Sequence, residues 1–489
     1  MAMISRRGLL GGVAAGSAAW LARSAAHGRP GQLPLKALGP PVTPRSDGRD
    51  VDILLDAEER QIALPCFEGR AMPLWTFADG GWPTVRLRLG DRLVARVKNR
   101  LPRQDEHISI HWHGIRLPNN EDGVPYMTQA PIVPGGEFTY HVVPPDAGSY
   151  FFHTHCNTVE HLGRGLLGLL IVDGDETAPY DHDLALVMKD WRIGSDGQFL
   201  PFMTDAGAAK AGSPGTPRSV NGADLPRIEL PASADVRLRL FNVDAVRFSE
   251  IGIKGADAAV VAVDGVACPP FPLKSWRMGP AMRLDIVIRS PRPGASAHLV
   301  DFFAPEPVQL AELVGTGAPR RRSAFDPAPL RASRIAEPDL ARAERVKFAF
   351  SATASGDAVA ELPIVDGIDI GALCLTSRTY WAINKQAWPG TDHSRLGPPL
   401  AELKLGQTYL FELENLTPHP HPIHIHGHTF TFVSSNKRGL PPHKADTVAL
   451  LPRERIEVAF VADNPGLWMF HCHILEHQET GMMGYLKVA

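Results

Sequence analysis

Four motifs of the form His-x-His constrain this chain more than any other feature: His111/His113, His153/His155, His424/His426 and His471/His473. Alternate residues of a β-strand point to one face, so a strand bearing such a motif aims two imidazoles at the same place. Neutral imidazole is a preferred ligand of copper and zinc. One pair alone is weak evidence, but four pairs point to strands gathered around metal.

The rest of the sequence suits strands. "TVRLRLGDRLVARVKNRL" (84–101), "DVRLRLFNV" (235–243) and "LAELKLGQTYLFELENLT" (400–417) alternate apolar and polar residues. No long stretch has a helical period. The 45 glycines and 44 prolines fit short strands joined by many turns. The chain is expected to be all-β, built of antiparallel sandwiches or barrels. Its 489 residues are too many for one compact domain.

Two segments look like copies. Gly90 leads to Asn99 and then to His111-Trp112-His113-Gly114; Gly406 leads to Asn415 and then to His424-Ile425-His426-Gly427. Their ends agree as well. Gly148 precedes His153-Thr154-His155 as Gly466 precedes His471-Cys472-His473, and "GLLGLLIV" (165–172) matches "GMMGYLKV" (481–488). In this register Thr154 stands where Cys472 stands, and Leu166 where Met482 stands. A middle copy has Asn242 but no histidine in the segment that follows it. Three related domains are therefore expected, at 45–175, 176–305 and 345–489, with 306–344 as a linker. The middle domain is read as a spacer or as one wall of a substrate pocket. Arg320-Arg321-Arg322 in the linker reads as a solvated charge run.

Two metal centres separate by chemistry. Two histidines, a thiolate and a weak axial thioether make a blue-copper electron-transfer site. Cys472, His477 and Met482 supply three of these, and His421 is the best-placed upstream histidine. The eight histidines of the four pairs form a second group without sulfur, suited to oxygen chemistry at several coppers. Strand alternation explains a cysteine between two histidines: Cys472 faces one centre while His471 and His473 face the other.

Taken together, HWHG, HTH, HPIHIH and HCHILEHQETGM resemble the motifs of the multicopper oxidases, in particular the three-domain laccase-like bacterial type. The resemblance spans nearly the whole mature chain. It implies three cupredoxin-like Greek-key domains and four copper ions, with type 1 copper in the third domain and a trinuclear cluster between the first and third. His421, Cys472, His477 and Met482 would bind type 1 copper, and His111 and His424 type 2. His113, His153, His155, His426, His471 and His473 would bind the type 3 pair. The implied activity is one-electron oxidation of phenols, aromatic amines or metal ions, coupled to reduction of O2 to water. A dedicated cuprous oxidase is the alternative. The Met-rich insertion common in that type is absent, because no methionine lies between Met282 and Met469. A non-catalytic exported scaffold on the same fold is disfavoured by the complete set of twelve ligands.

Water formation needs protons. Asp122 matches a family acid near type 2 copper. A second family acid follows the type 1 histidine directly, but here that position is Gln478, an amide unable to act as a general acid. Glu479, one residue on, is the candidate replacement. His107, His141, His161, His419, His428 and His443 are expected to lie on the surface or behind the ligands. Cys156 is read as packing or as a disulfide partner, and the pairing of Cys66, Cys156, Cys268 and Cys374 stays open.

Residues 1–26 resemble a twin-arginine export signal. Arg6-Arg7 precede Gly8-Leu9-Leu10, a short apolar run reaches Ala22, and Ser24-Ala25-Ala26 offer a cleavage site. An exported, periplasmic protein is expected. Stable membrane insertion is not, and the net charge of −3 gives no case for nucleic acid.

Overall fold

The computed structural model describes residues 41–42, 50–79, 81–174, 180–321, 323–352, 379–388 and 397–489. The expected export segment 1–26 and Cys374 lie outside them. The alternating segments become strands of six sheets, two for each of three domains of like topology. Thus Arg92–Arg100 buries Leu93, Ala95 and Val97 while Arg96 and Arg100 face solvent. Fully burying a leucine or valine side chain such as Leu93 or Val97 contributes about 1.5–3 kcal/mol. That is the physical content of the period-two pattern.

Each copy runs the same way. In the first domain Asp50–Ile62 lies parallel to Arg92–Arg100, and in the third Glu344–Ala352 lies parallel to Thr408–Asn415. The middle copy pairs His182–Asp190 with Asp235–Asn242 in the same sense. The sheets are therefore mixed rather than purely antiparallel. A Greek-key crossover that wraps a barrel brings its first strand back alongside a later one.

The repeated asparagine ends a strand in all three copies and does one job. Asn99, Asn242 and Asn415 each accept, through Oδ1, the N–H two residues on, from Leu101, Asp244 and Thr417. Each then donates through Nδ2 to carbonyls of the following loops, such as Ile132, Met278 and Leu451. A buried side chain thus replaces the backbone partners that the strand end leaves unpaired.

Two expectations are corrected. The linker does not begin at 306, because Val308–Thr316 forms a long strand beside Ser296–Asp301 and extends the middle domain. Arg321 is more than solvated charge: its guanidinium meets Asp181 at 2.6 Å and Asp235 at 3.3 Å, tying the linker to the middle domain.

Candidate metal centres

The four histidine pairs lie on or at the ends of paired strands at the junction of the first and third domains. Ile110–His113 runs antiparallel to Gly148–Thr154 with His111 opposite His153. His421–Ile425 runs antiparallel to Gly466–Cys472 with His424 opposite His471. The residue between each pair turns away: Trp112 packs on Tyr140 and Phe152 in the first domain's core. Across the junction the rings stack, His111 on His426 at 3.8 Å and His113 on His424 at 3.9 Å between centroids.

All eight side chains are buried, and their donor atoms fall into groups tight enough for a metal ion. His113, His153 and His473 form one; His155, His426 and His471 form another; His111 and His424 meet in a third with His113. Ring orientation is fixed from behind. The Nδ1 atoms of His111, His153, His424 and His471 face the carbonyls of Asp122, Thr154, Asp446 and Cys472 at 2.9–3.0 Å. His426 Nδ1 faces Asp122 Oδ2 at 2.9 Å, and His113 is reversed, with Nε2 against Asp446 Oδ1 at 3.2 Å.

The nitrogens left over are informative. His111 Nε2, His113 Nδ1, His153 Nε2, His155 Nε2, His424 Nε2 and both nitrogens of His473 are buried without a hydrogen-bond partner. Buried polar atoms are seldom left unpaired, so so many in one place mark a cavity built for cations. Burial, reinforced by neighbouring imidazoles, holds His113, His153, His155, His426, His471 and His473 well below the usual histidine range. They are neutral, which is the state that offers a lone pair to a metal.

The sulfur site lies on the other side of the same strand. Cys472 Sγ is 3.6 Å from His421 Nδ1 and 3.7 Å from His477 Nδ1, and those two nitrogens are 3.1 Å apart. Burial pushes the thiol well above its ordinary range, so a metal must displace its proton. Met482 is fully buried in the same core, and its carbonyl accepts the Cys472 N–H at 3.0 Å. His477 stands on the short helix Leu475–Glu479, and its Nε2 donates to the Lys210 carbonyl at 2.7 Å. His421 Nε2 meets Thr417 Oγ1 at 2.8 Å, and Trp381 walls the site 4.4 Å from the His477 ring.

The acids differ in their placing. Asp122 is no ordinary turn residue. It is buried, with one oxygen on His426 and the other 3.2 Å from His111 Nδ1. Its loop fits because residue 123 is glycine: a Cβ there would lie 1.7 Å from the Ile110 carbonyl, and φ is +75°. Gln478 is buried with Oε1 unpartnered. Glu479 points to the first domain, where its carboxylate accepts the Val159 N–H at 2.9 Å. It lines a cavity of about 420 Å³ with Asn157, Glu160 and Arg164. Burial pushes its pKa up to about 8, helped by the charges of Glu476, Glu160 and Glu106.

Sequence reasoning missed Asp446 and Arg283, which belong to no motif and reach the histidines only through tertiary packing. It also placed His161 too loosely. That ring is buried, with Nδ1 2.7 Å from Thr154 Oγ1 and Nε2 2.7 Å from Glu106 Oε1. Cys66, Cys156 and Cys268 are free, so Cys156 is packing and, among the described residues, no disulfide forms. No helix of the described residues is long and apolar enough to cross a membrane.

Residues 69–177, 189–296 and 375–489 each match a family described as multicopper oxidase. The multicopper oxidase MmcO of Mycobacterium tuberculosis is 30% identical, over 98% of this chain and 95% of its own. The crystal structure of a multi-copper oxidase from Pseudomonas thermotolerans superposes with a TM-score of 0.78 at 37% identity, covering 91% of this chain and all of that one. A multicopper oxidase from Campylobacter jejuni, described as a metallo-oxidase, superposes with a TM-score of 0.75 at 25% identity, over 92% and 94% of the two chains.

Proposed function

The chain belongs to the multicopper oxidase family, and we propose that it takes single electrons from phenols or aromatic amines at Cys472 and uses them to reduce O2 to water. The observation that carries this reading is the division of donors about one strand, with Cys472 meeting His421 and His477 while His471 and His473 join the other imidazoles. Four ions are proposed: type 1 at His421, Cys472, His477 and Met482; type 2 at His111 and His424; and the type 3 pair at His113, His153, His155, His426, His471 and His473. Copper bound there would supply one-electron acceptance at the thiolate and four-electron reduction of O2 at the imidazoles.

The chain's own residues provide the connection. From Cys472 the main chain leads directly to His471 and His473, and His471 Nδ1–H donates back to the Cys472 carbonyl at 2.9 Å. Electrons have only a few covalent bonds to cross. Asp122 holds the His111 and His426 rings and is proposed to hand protons inward. Glu479, raised to about 8 and set against a cavity, is proposed as the proton donor in place of the acid absent at Gln478.

Phenols and aromatic amines are the first reading for the reductant. Among the described residues, the His421 ring also meets Thr417 Oγ1 and the His477 ring donates to the Lys210 carbonyl. Oxidation of Cu(I) is the second reading, since a relative is described as a metallo-oxidase. Export to the periplasm by the twin-arginine route rests on the sequence of residues 1–26. Oxygen consumption by the copper-loaded protein with 2,6-dimethoxyphenol, Cu(I) and Fe(II) tests the reading. Uptake with the phenol is expected, and no uptake with any of the three would sink it.

A further inference from the structure

The middle domain carries none of the eight paired histidines, yet it reaches the histidine centre. Its hairpin from Ala258–Val263 to Val266–Pro272 turns on Asp264 and Gly265, with φ of 48° and 79°. Asp-Gly is the favoured dipeptide for such a two-residue turn, which needs both φ positive. The turn wedges between the other domains. A Cβ on Gly148 of the first domain would lie 2.4 Å from the Gly265 carbonyl. Asp264 Oδ2 accepts the Thr447 N–H of the third domain at 3.1 Å, and Oδ1 accepts the Arg283 N–H at 2.8 Å.

Arg283 is wholly buried, and all five of its guanidinium N–H donors are used. Nε donates to the Ser149 carbonyl at 3.2 Å, and the carbonyls of Ala281 and Asp264 take one each at 3.0 and 2.9 Å. The remaining two clamp Asp446, at 3.0 Å to Oδ1 and 2.5 Å to Oδ2. The same Asp446 Oδ1 also meets His113 Nε2 at 3.2 Å and the Thr447 hydroxyl at 2.7 Å. It lies 3.3 Å from His424 Nδ1, which the Asp446 carbonyl also holds at 3.0 Å. Gly114, directly after the first histidine pair, makes room. A Cβ there would lie 2.2 Å from an Arg283 nitrogen and 2.5 Å from Asp446 Oδ2.

We propose that Arg283 is a positioning residue of the histidine centre, acting through Asp446 to hold His113 by Nε2 and His424 by Nδ1. Their other nitrogens, His113 Nδ1 and His424 Nε2, are the ones left without partners and turned to metal. The middle domain is thereby the third support of a centre whose ligands come from the other two. This rests on the copper reading above.

The test is Arg283→Met in the full-length, copper-loaded protein, beside Arg289→Met, which breaks the Arg289–Asp235 pair at the other end of the same strand. Copper per chain and the electron paramagnetic resonance spectrum are read, with competition against a chelator. The type 1 signal and blue band are expected to persist in Arg283→Met. The type 2 signal should change, and copper affinity at the histidine centre should fall about 10- to 100-fold. Arg289→Met should leave the spectrum untouched, and Arg283→Lys should recover part of the loss. Asp446→Asn should reproduce the defect, and it decides the matter if Arg283→Met fails to fold. A wild-type type 2 signal and affinity in both variants overturns the proposal. So does a parallel loss of all copper signals, which would mark a purely structural role. Wild-type protein that lacks a type 2 signal and binds only a single copper per chain would sink the underlying reading itself.

Discussion

Residues 153–168 and 471–484 are two versions of one loop, and they hold different chemistry. In both, the first histidine donates through Nδ1 to the next residue's carbonyl at 2.9 Å. In both, a helical turn follows, and a histidine carbonyl on it accepts the N–H five residues later: His161 from Leu166, His477 from Met482. His161 is therefore the counterpart of His477. Where Cys472 Sγ faces His477 Nδ1 at 3.7 Å, Thr154 Oγ1 meets His161 Nδ1 at 2.7 Å. Glu106 fills the far side of His161, and Ile108, three residues before His111, stands where His421 precedes His424. One backbone thus serves either as a metal cradle or as a closed hydrogen-bond chain. The choice lies in a few side chains.

The largest expected effect comes from making the third domain like the first. Cys472→Thr should abolish the blue absorption and bring O2 consumption to background, while the histidine centre still binds copper. A surviving blue band would break the comparison.

Glu479 is where the two loops touch, and its pKa of about 8 carries a pH signature. A carboxyl raised in the fold adds stability that is complete below its unfolded value near 4.5 and is lost as pH rises through 8. Glu479→Gln keeps an acceptor for Val159 and removes the titration. The variant should therefore gain on the wild type by on the order of 4 kcal/mol between pH 4 and pH 9. Denaturant unfolding at both pH values measures this, and equal slopes would refute the raised carboxyl.

A smaller loss is expected from His161→Leu, which removes the ring partner of Thr154 and one of the partners of Glu106, the others being Asn157 and Arg103. Stability should fall by about 1–3 kcal/mol in urea unfolding, with the blue band unchanged. A lost blue band would mean that the first domain's chain supports the sulfur site. The smallest structural change is Met482→Leu, the residue found at Leu166. It should cost less than about 1.5 kcal/mol and raise the type 1 potential in a redox titration, because the axial thioether is gone.

Much of this was written in the sequence because it depends on local geometry. The period of two in a strand decides that His471 and His473 share a face while Cys472 takes the other. The repeat of Gly, Asn and His-x-His announces two copies of one fold, and Asn242 marks the third. Asp446 and Arg283 were invisible for the opposite reason: Arg283 lies 163 residues from Asp446, and Asp446 lies 333 residues from His113. No spacing rule spans such distances. His161 was misjudged because its loop is two residues longer than that of His477, which hides the match until the shared hydrogen bond is seen.

By itself, then, the sequence determined to which face of a strand each proposed donor belongs, because alternation acts over a few residues. Only the tertiary structure decided which ring nitrogen is held and which is left open. For His111, His153, His424 and His471 a backbone carbonyl behind the ring makes that choice. For His113 it is made by an aspartate from the third domain held by an arginine from the second.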